Sequence, residues 1–180
     1  AKVINLGLFY GMGKAKLQAE LGVSKDKAEE LFSVYHERVP FVKSLTRSVS
    51  NRAQQRGQIR TLLGRLCRFH LWEPNSFGMH KALPFDQAVQ EHGPGIKRAY
   101  TYKALNKLIQ GSAADMTKKS MLELYKEGIV AHIQVHDELD ISVENDIKAK
   151  RIKEIMESAV ELEIPNKVDY EKGTNWGDIK

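Results

Sequence analysis

The sequence predicts an α+β chain, on three observations. Apolar residues recur at helical spacing through most of the 180 residues, in segments punctuated by glycine, proline and capping residues. A first short stretch, QIRTLLGRLCRF, turns back on itself at a glycine. A second, HIQVHDELDIS, places apolar side chains at every second position on either side of three polar ones.

The elements follow in order. A first helix is expected over residues 1–10 and broken by Gly11 and Gly13. KAKLQAEL (14–21) reads as a short helix stopped by Gly22. Ser24 is a good N-cap for a helix over 25–38, with Ala28, Leu31, Phe32 and Tyr35 on one stripe. Pro40 ends that helix and can open the next, which runs to Arg56 and stops at Gly57. The hairpin turning at Gly64 comes next. Residues 73–96 hold Pro74, Gly78, Pro84, Gly93, Pro94 and Gly95 and read as a long irregular connection. They are the expected boundary between two lobes, 1–95 and 96–180. A helical pattern then runs from Ile96 to Glu127, interrupted only by Gly111 and closed by Gly128. After the second hairpin a helix over 146–162 carries Ile152, Ile155, Met156, Ala159 and Val160 as its buried face. Pro165 stops it, KVDY (167–170) reads as a last strand, and EKGTNWGDIK as a tail.

Composition narrows the function classes. Apolar runs fall well short of the roughly 20 residues a membrane span needs, and no signal-peptide pattern opens the chain. The single cysteine, Cys67, excludes an internal disulfide framework and a zinc site built on several cysteines, and fits a reducing, cytoplasmic setting. Charge is uneven. Residues 1–70 carry 13 Lys/Arg against 5 Asp/Glu, whereas residues 129–180 carry 7 against 12. A basic first third fits a polyanionic partner such as nucleic acid, or a solvated helical surface. The opening AKVINLGLFYGMG has no cap or turn ahead of it, so the chain is expected to be a fragment, a processed product or one piece of a split protein.

Three constellations can carry chemistry. In HIQVHDELDIS a straight strand would put Asp137 on the apolar face, where a lone carboxylate is costly. A hairpin with its turn at His136-Asp137-Glu138 removes that conflict. The turn lacks the glycine that tight hairpins favour, so local turn chemistry has given way to a polar cluster. A carboxylate at such a tip is a hard-oxygen ligand suited to Mg²⁺, or else part of a solvated acidic turn. In the first helix Lys2, Leu6 and Tyr10 stack at i, i+4 and i+8. Lysine suits a phosphate, and the other two suit a base and sugar, with Gly7 and Gly11 allowing close approach to the backbone. An ordinary amphipathic helix has the same pattern. In NKLIQGSAAD, Asn106 and Gln110 lie one turn apart on one helix face, suited to hydrogen bonds with sugars, base edges or phosphates, or simply to water.

Taken in this order, the motifs resemble the C-terminal part of the A-family DNA polymerases, the group of bacterial DNA polymerase I and many phage replicases. KVINLGLFYGMG is similar to that family's fingers-helix motif, with Lys2, Asn5, Gly7, Tyr10 and Gly11 in place. LIQGSAAD resembles its Gln-Gly-(Ser/Thr)-Ala-Ala-Asp helix, and QVHDEL its palm carboxylate motif. ERVPFV and TLLGR resemble the intervening fingers segments, and NWGDIK the C-terminal tail. The resemblance implies a helical fingers subdomain over 1–95. Over 96–180 it implies the C-terminal part of an antiparallel palm sheet with packed helices, an incomplete right hand.

It also implies roles. Asp137 would hold the catalytic Mg²⁺ ions with Glu138 in support, and His136 would touch the primer end. Lys2 would hold the triphosphate of the incoming dNTP, and Leu6 and Tyr10 would pack at its base and sugar. Asn106 and Gln110 would contact the primer–template DNA near the nascent pair. The departures are equally specific. The family's second metal-binding aspartate comes from a motif before the fingers helix, and the family has an arginine a few residues ahead of Lys2. Neither lies in these 180 residues, so the chain by itself is expected to be inactive and to need a segment or partner bearing the remaining palm and thumb. Asp115 lies within a different motif and Asp140 on the strand face opposite Leu139, so neither is expected to substitute. Leu6 stands where the family usually has Phe or Tyr, and Lys180 where the bacterial pattern often ends in His. Two other readings stand beside this one: a basic helical module that binds nucleic acid without chemistry, and a metal-dependent phosphohydrolase using His136-Asp137 on a helix.

Overall fold

A computed structural model describes residues 2–76, 78 and 80–179, and the side chains of residues 2 and 3 lie outside the described set. Four helices come first: α1 (Lys2–Phe9), α2 (Lys14–Leu21), α3 (Lys25–Arg38) and α4 (Pro40–Arg56). Their ends obey local chemistry. Gly22 closes α2 in the left-handed region at φ +62°. Ser24 caps α3, its hydroxyl accepting from the Lys27 N–H at 3.3 Å. Pro40 is the first residue of α4, where its missing N–H costs nothing. On α3 the expected stripe is only partly buried: Ala28 is fully covered, Phe32 and Tyr35 half, and Leu31 is exposed.

Strands β1 (Gln58–Arg60) and β2 (Leu66–Arg68) form the predicted hairpin, with Ile59 opposite Cys67. Its turn is closed by Gly64 at φ +88°. The next segment corrects the sequence reading. Residues 73–96 are not an irregular connection: β3 (Trp72–Pro74) and β4 (Ile96–Arg98) pair antiparallel, with α5 (Phe85–His92) between them. The glycines and prolines that read as loop sit at element ends. Pro74 closes a strand, Pro84 precedes α5 and Gly93 follows it. The predicted helix from Ile96 is corrected for the same reason. Ile96–Arg98 find a ladder partner far away in sequence, which local periodicity cannot reveal. A 3₁₀ turn over Thr101–Lys103 then leads into α6 (Ala104–Lys126), and Gly111 does not interrupt it.

Strands β5 (Ile133–Val135) and β6 (Glu138–Asp140) make the second predicted hairpin, and α7 (Asp146–Ser158) follows under an Asn145 cap. That helix ends four residues earlier than its apolar pattern suggests. KVDY forms no strand: the Val168 N–H donates to the Glu157 carboxylate at 3.0 Å instead of to a ladder partner. Among the described residues no helix is long and apolar enough to cross a membrane.

The chain divides into two compact units, residues 1–109 and 110–180, and the division falls within α6. The expected lobe boundary at 95/96 lies inside the first unit, in the turn before β4. The first unit is built on Val49, Ala53, Ile59, Phe69 and Ala104, with Leu45, Cys67 and Leu108 against them. The second is built on Leu124, Ile129, Ile152 and Ile155, with Leu139, Ile141 and Met156 against them. On its surface the Arg151 guanidinium donates to Glu127, from Nε at 3.1 Å, and holds that carboxyl below its ordinary range.

Arg98 ties the first unit together. Its Nε donates to the Gln54 carbonyl (3.2 Å) and its Nη1 to the Phe69 carbonyl (2.9 Å), while the guanidinium lies 4.5 Å over the Trp72 ring. Gly57, between α4 and β1, has φ +67°, and a Cβ there would sit 2.6 Å from Arg98 Cζ. That guanidinium is fixed by three partners and cannot swing aside. Gly57→Ala therefore adds left-handed strain of about 1–2 kcal/mol to a steric clash. Urea unfolding should show a loss of at least about 1.5 kcal/mol, whereas an unchanged midpoint would refute both the left-handed strain at Gly57 and the clash with Arg98.

Candidate functional site

The second hairpin has a two-residue turn. Val135 pairs with Glu138, Gln134 with Leu139 and Ile133 with Asp140, leaving His136 and Asp137 as the loop. Glu138, expected in the turn, is instead the first residue of β6. The His132 N–H donates to the Asp140 carbonyl (2.9 Å), which extends the ladder by one rung. With no glycine in the turn, His136 itself enters the left-handed region at φ +51°. The Gln134 side-chain amide donates to the His136 carbonyl at 2.6 Å and braces the loop from below.

Pairing also redistributes the apolar side chains. Cross-strand partners share a face, so Ile133 and Val135 lie with Glu138 and Asp140, opposite the face of Leu139. The alternation that reads as a single apolar face in sequence is split in two. Leu139 packs on the second unit's core, whereas Ile133 and Val135 stay 41% and 37% exposed. Asp137 is exposed at the tip, so the buried-carboxylate conflict of a straight strand does not arise. His136-Asp137 lies in a β-turn, not on the helix that the phosphohydrolase reading requires.

The Asp137 carboxylate offers hard oxygens of the kind Mg²⁺ takes, with Glu138 next to it. Among the described residues no group of three or more His, Cys, Asp and Glu is placed to hold a metal ion. The donor chemistry fits, with further ligands needed from beyond this tip.

In the first unit, Leu6 lies on α1 and is 45% exposed, and Tyr10, half-buried, follows the helix end. The Phe9 and Tyr10 rings meet edge to face at 5.3 Å. The Lys2 side chain lies outside the described residues. Gly7 does not leave open space, because the Met12 side chain folds over it and a Cβ there would collide with the methyl. Asn106 and Gln110 are both exposed, one turn apart on α6. Tyr100 and Tyr102 stand exposed just ahead of Asn106.

This arrangement of helices and antiparallel ribbons is that of a DNA polymerase domain. The solved POL domain of Pol1 from M. smegmatis, in complex with DNA primer-template and dNTP, matches with a TM-score of 0.68 and 28% identity, over 91% of this chain and 28% of that one. Residues 1–178 match the family model for DNA polymerase family A, and the chain belongs to that family. It is 32% identical to a DNA-directed DNA polymerase of Pseudomonas phage M6, covering 98% of this chain and 29% of the phage protein. It is 33% identical to DNA polymerase I of Bacillus caldotenax, covering 100% of this chain and 20% of that protein. The chain thus spans between a fifth and a third of the length of these relatives.

Proposed function

We propose that these 180 residues supply the nucleotide-facing and primer-facing part of an A-family polymerase site, which joins a dNTP to a primer 3′-OH under the direction of a DNA template. One observation carries the reading: Asp137 stands exposed on a hairpin tip in a chain that matches family A over residues 1–178. Lys2 neutralises the triphosphate of the dNTP. Leu6 and Tyr10 bound its sugar and base, and Leu6 presents a smaller, non-planar surface than an aromatic ring. Asn106 and Gln110 hydrogen-bond the primer–template from one face of α6, and His136 positions the primer end. Asp137, supported by Glu138, holds Mg²⁺ together with an aspartate from outside these residues. Two such ions, when bound, neutralise the attacking and leaving oxygens of an in-line phosphoryl transfer. The protein's share is positioning and charge. In this reading the partners are primer–template DNA, dNTPs and the segment bearing the rest of the palm and thumb, in the cytoplasm of a bacterium or a phage-infected host.

The test is complementation. The chain is mixed with a polypeptide bearing the missing aspartate motif, palm and thumb, and primer extension is followed with Mg²⁺. Extension is expected from the mixture and from neither part alone. Failure of every such mixture would overturn the proposal, and extension by the chain alone would overturn the requirement for a second aspartate.

A further inference from the structure

We propose that the outward face of α4 holds the backbone of a single nucleic-acid strand other than the primer and the template. The proposal takes those two to lie at the site proposed above. Between Glu37 and Glu73 the chain has eight Lys and Arg and no Asp or Glu. Four of the eight, Lys43, Arg47, Arg52 and Arg56, stand exposed on α4. Among the described residues none of these four has a carboxylate partner. Exposed cations elsewhere do find one: Lys27 lies 2.8 Å from Glu30, and Arg151 donates to Glu127. A helix face with unneutralised charge of one sign draws a polyanion.

Helical spacing orders this face into a polar middle and two charged edges. Ser48, Asn51 and Gln55, all exposed, run down the middle. Lys43 and Arg47 lie one turn apart along one edge, and Arg52 and Arg56 one turn apart along the other. Phe41, 57% exposed, stands at the N-terminal end of the middle line. The Ser44 hydroxyl donates to its carbonyl at 2.9 Å and tightens that first turn. On the opposite side of α4, Val49 and Ala53 pack with Ala104 at the start of α6. The cationic face is thus turned away from the helix start that carries Asn106, and a strand lying on it occupies a separate surface.

The chemistry selects nucleic acid over an acidic peptide. Phosphate and sugar oxygens take hydrogen bonds from Arg, Lys, Ser, Asn and Gln side chains, the residue types of this face. An exposed aromatic beside a cationic track stacks on a base, and an acidic peptide offers no such surface to Phe41. A base inside a duplex has both faces covered by its neighbours, so a single strand fits. Lys43 to Arg56 spans about 20 Å along the helix, the length of about six nucleotides at stacked spacing. The track is organised before its ligand arrives, because α4 runs unbroken over 17 residues and is packed along its other side.

The experiment uses the full chain and a fluorescent oligothymidine of about 12 nucleotides, titrated at several salt concentrations. Replacing all four cations (Lys43→Gln, Arg47→Gln, Arg52→Gln, Arg56→Gln) should flatten the slope of log affinity against log salt by about 3. The charge-keeping set Arg47→Lys, Arg52→Lys and Arg56→Lys should preserve the slope. Phe41→Ala should weaken oligothymidine binding about 5- to 150-fold at an unchanged slope and leave the affinity for a blunt duplex as it was. Asn106→Ala should leave oligothymidine binding unchanged. All these positions are exposed, so every variant should melt with the wild type. Failure of the wild type to bind, an unchanged slope in the Gln variant, an equal loss in Asn106→Ala, or equal competition by poly-glutamate would each overturn the proposal. None of these touches the polymerase reading, which stands or falls on primer extension by the complemented mixture.

Discussion

Asp137→Ala should abolish primer extension in the complemented mixture, by at least about a thousandfold. A metal-bound carboxylate supports several kcal/mol of transition-state charge stabilisation, and about 1.4 kcal/mol is tenfold in rate. The loss cannot come from misfolding. Asp137 is exposed in the loop, and the three rungs from Ile133–Asp140 to Val135–Glu138 set the register without its side chain. Asp137→Asn is the sharper variant, because it keeps the shape and removes only the charge. Both should show wild-type far-ultraviolet circular dichroism. Near-normal extension by either would refute the metal role.

The second large effect concerns stability. Leu124→Ala should cost about 2–5 kcal/mol. Leu124 is fully buried and packs with Ile129, Ile152 and Ile155. The unit they hold together has only about 70 residues, a size at which folding is marginal. Such a loss lowers its melting temperature by at least about 8 °C. Leu139 ties β6 to the same core, so the hairpin tip should also loosen and its amide protons exchange faster. Ile147→Ala, at an 81% exposed position of α7, is the control and should stay within about 0.5 kcal/mol of wild type. Equal melting of the two variants would mean that this cluster is not the unit's core.

What was legible in the sequence was what neighbouring residues decide. Ser24, Pro40, Gly57 and Gly64 act on their own turns, and the elements they bound lie where the sequence places them. What was illegible was long-range pairing. Nothing near Ile96 reveals that it will meet Pro74, so β4 reads as helix and β3 as loop. Conversely, Val168 looks like strand but finds a carboxylate instead of a ladder. The hairpin tip was legible because a turn without glycine breaks a local rule. The faces of its strands were not, because reversal at the turn separates Ile133 and Val135 from Leu139.

The left-handed backbone of His136 sets a trap for anyone stabilising this protein. Glycine is the residue that conformation favours, and stability screens reward such replacements. Selection for a higher melting temperature would thus be drawn to the position proposed to hold the primer end. A sturdier chain obtained that way would have exchanged its grip on the growing strand for an easier turn.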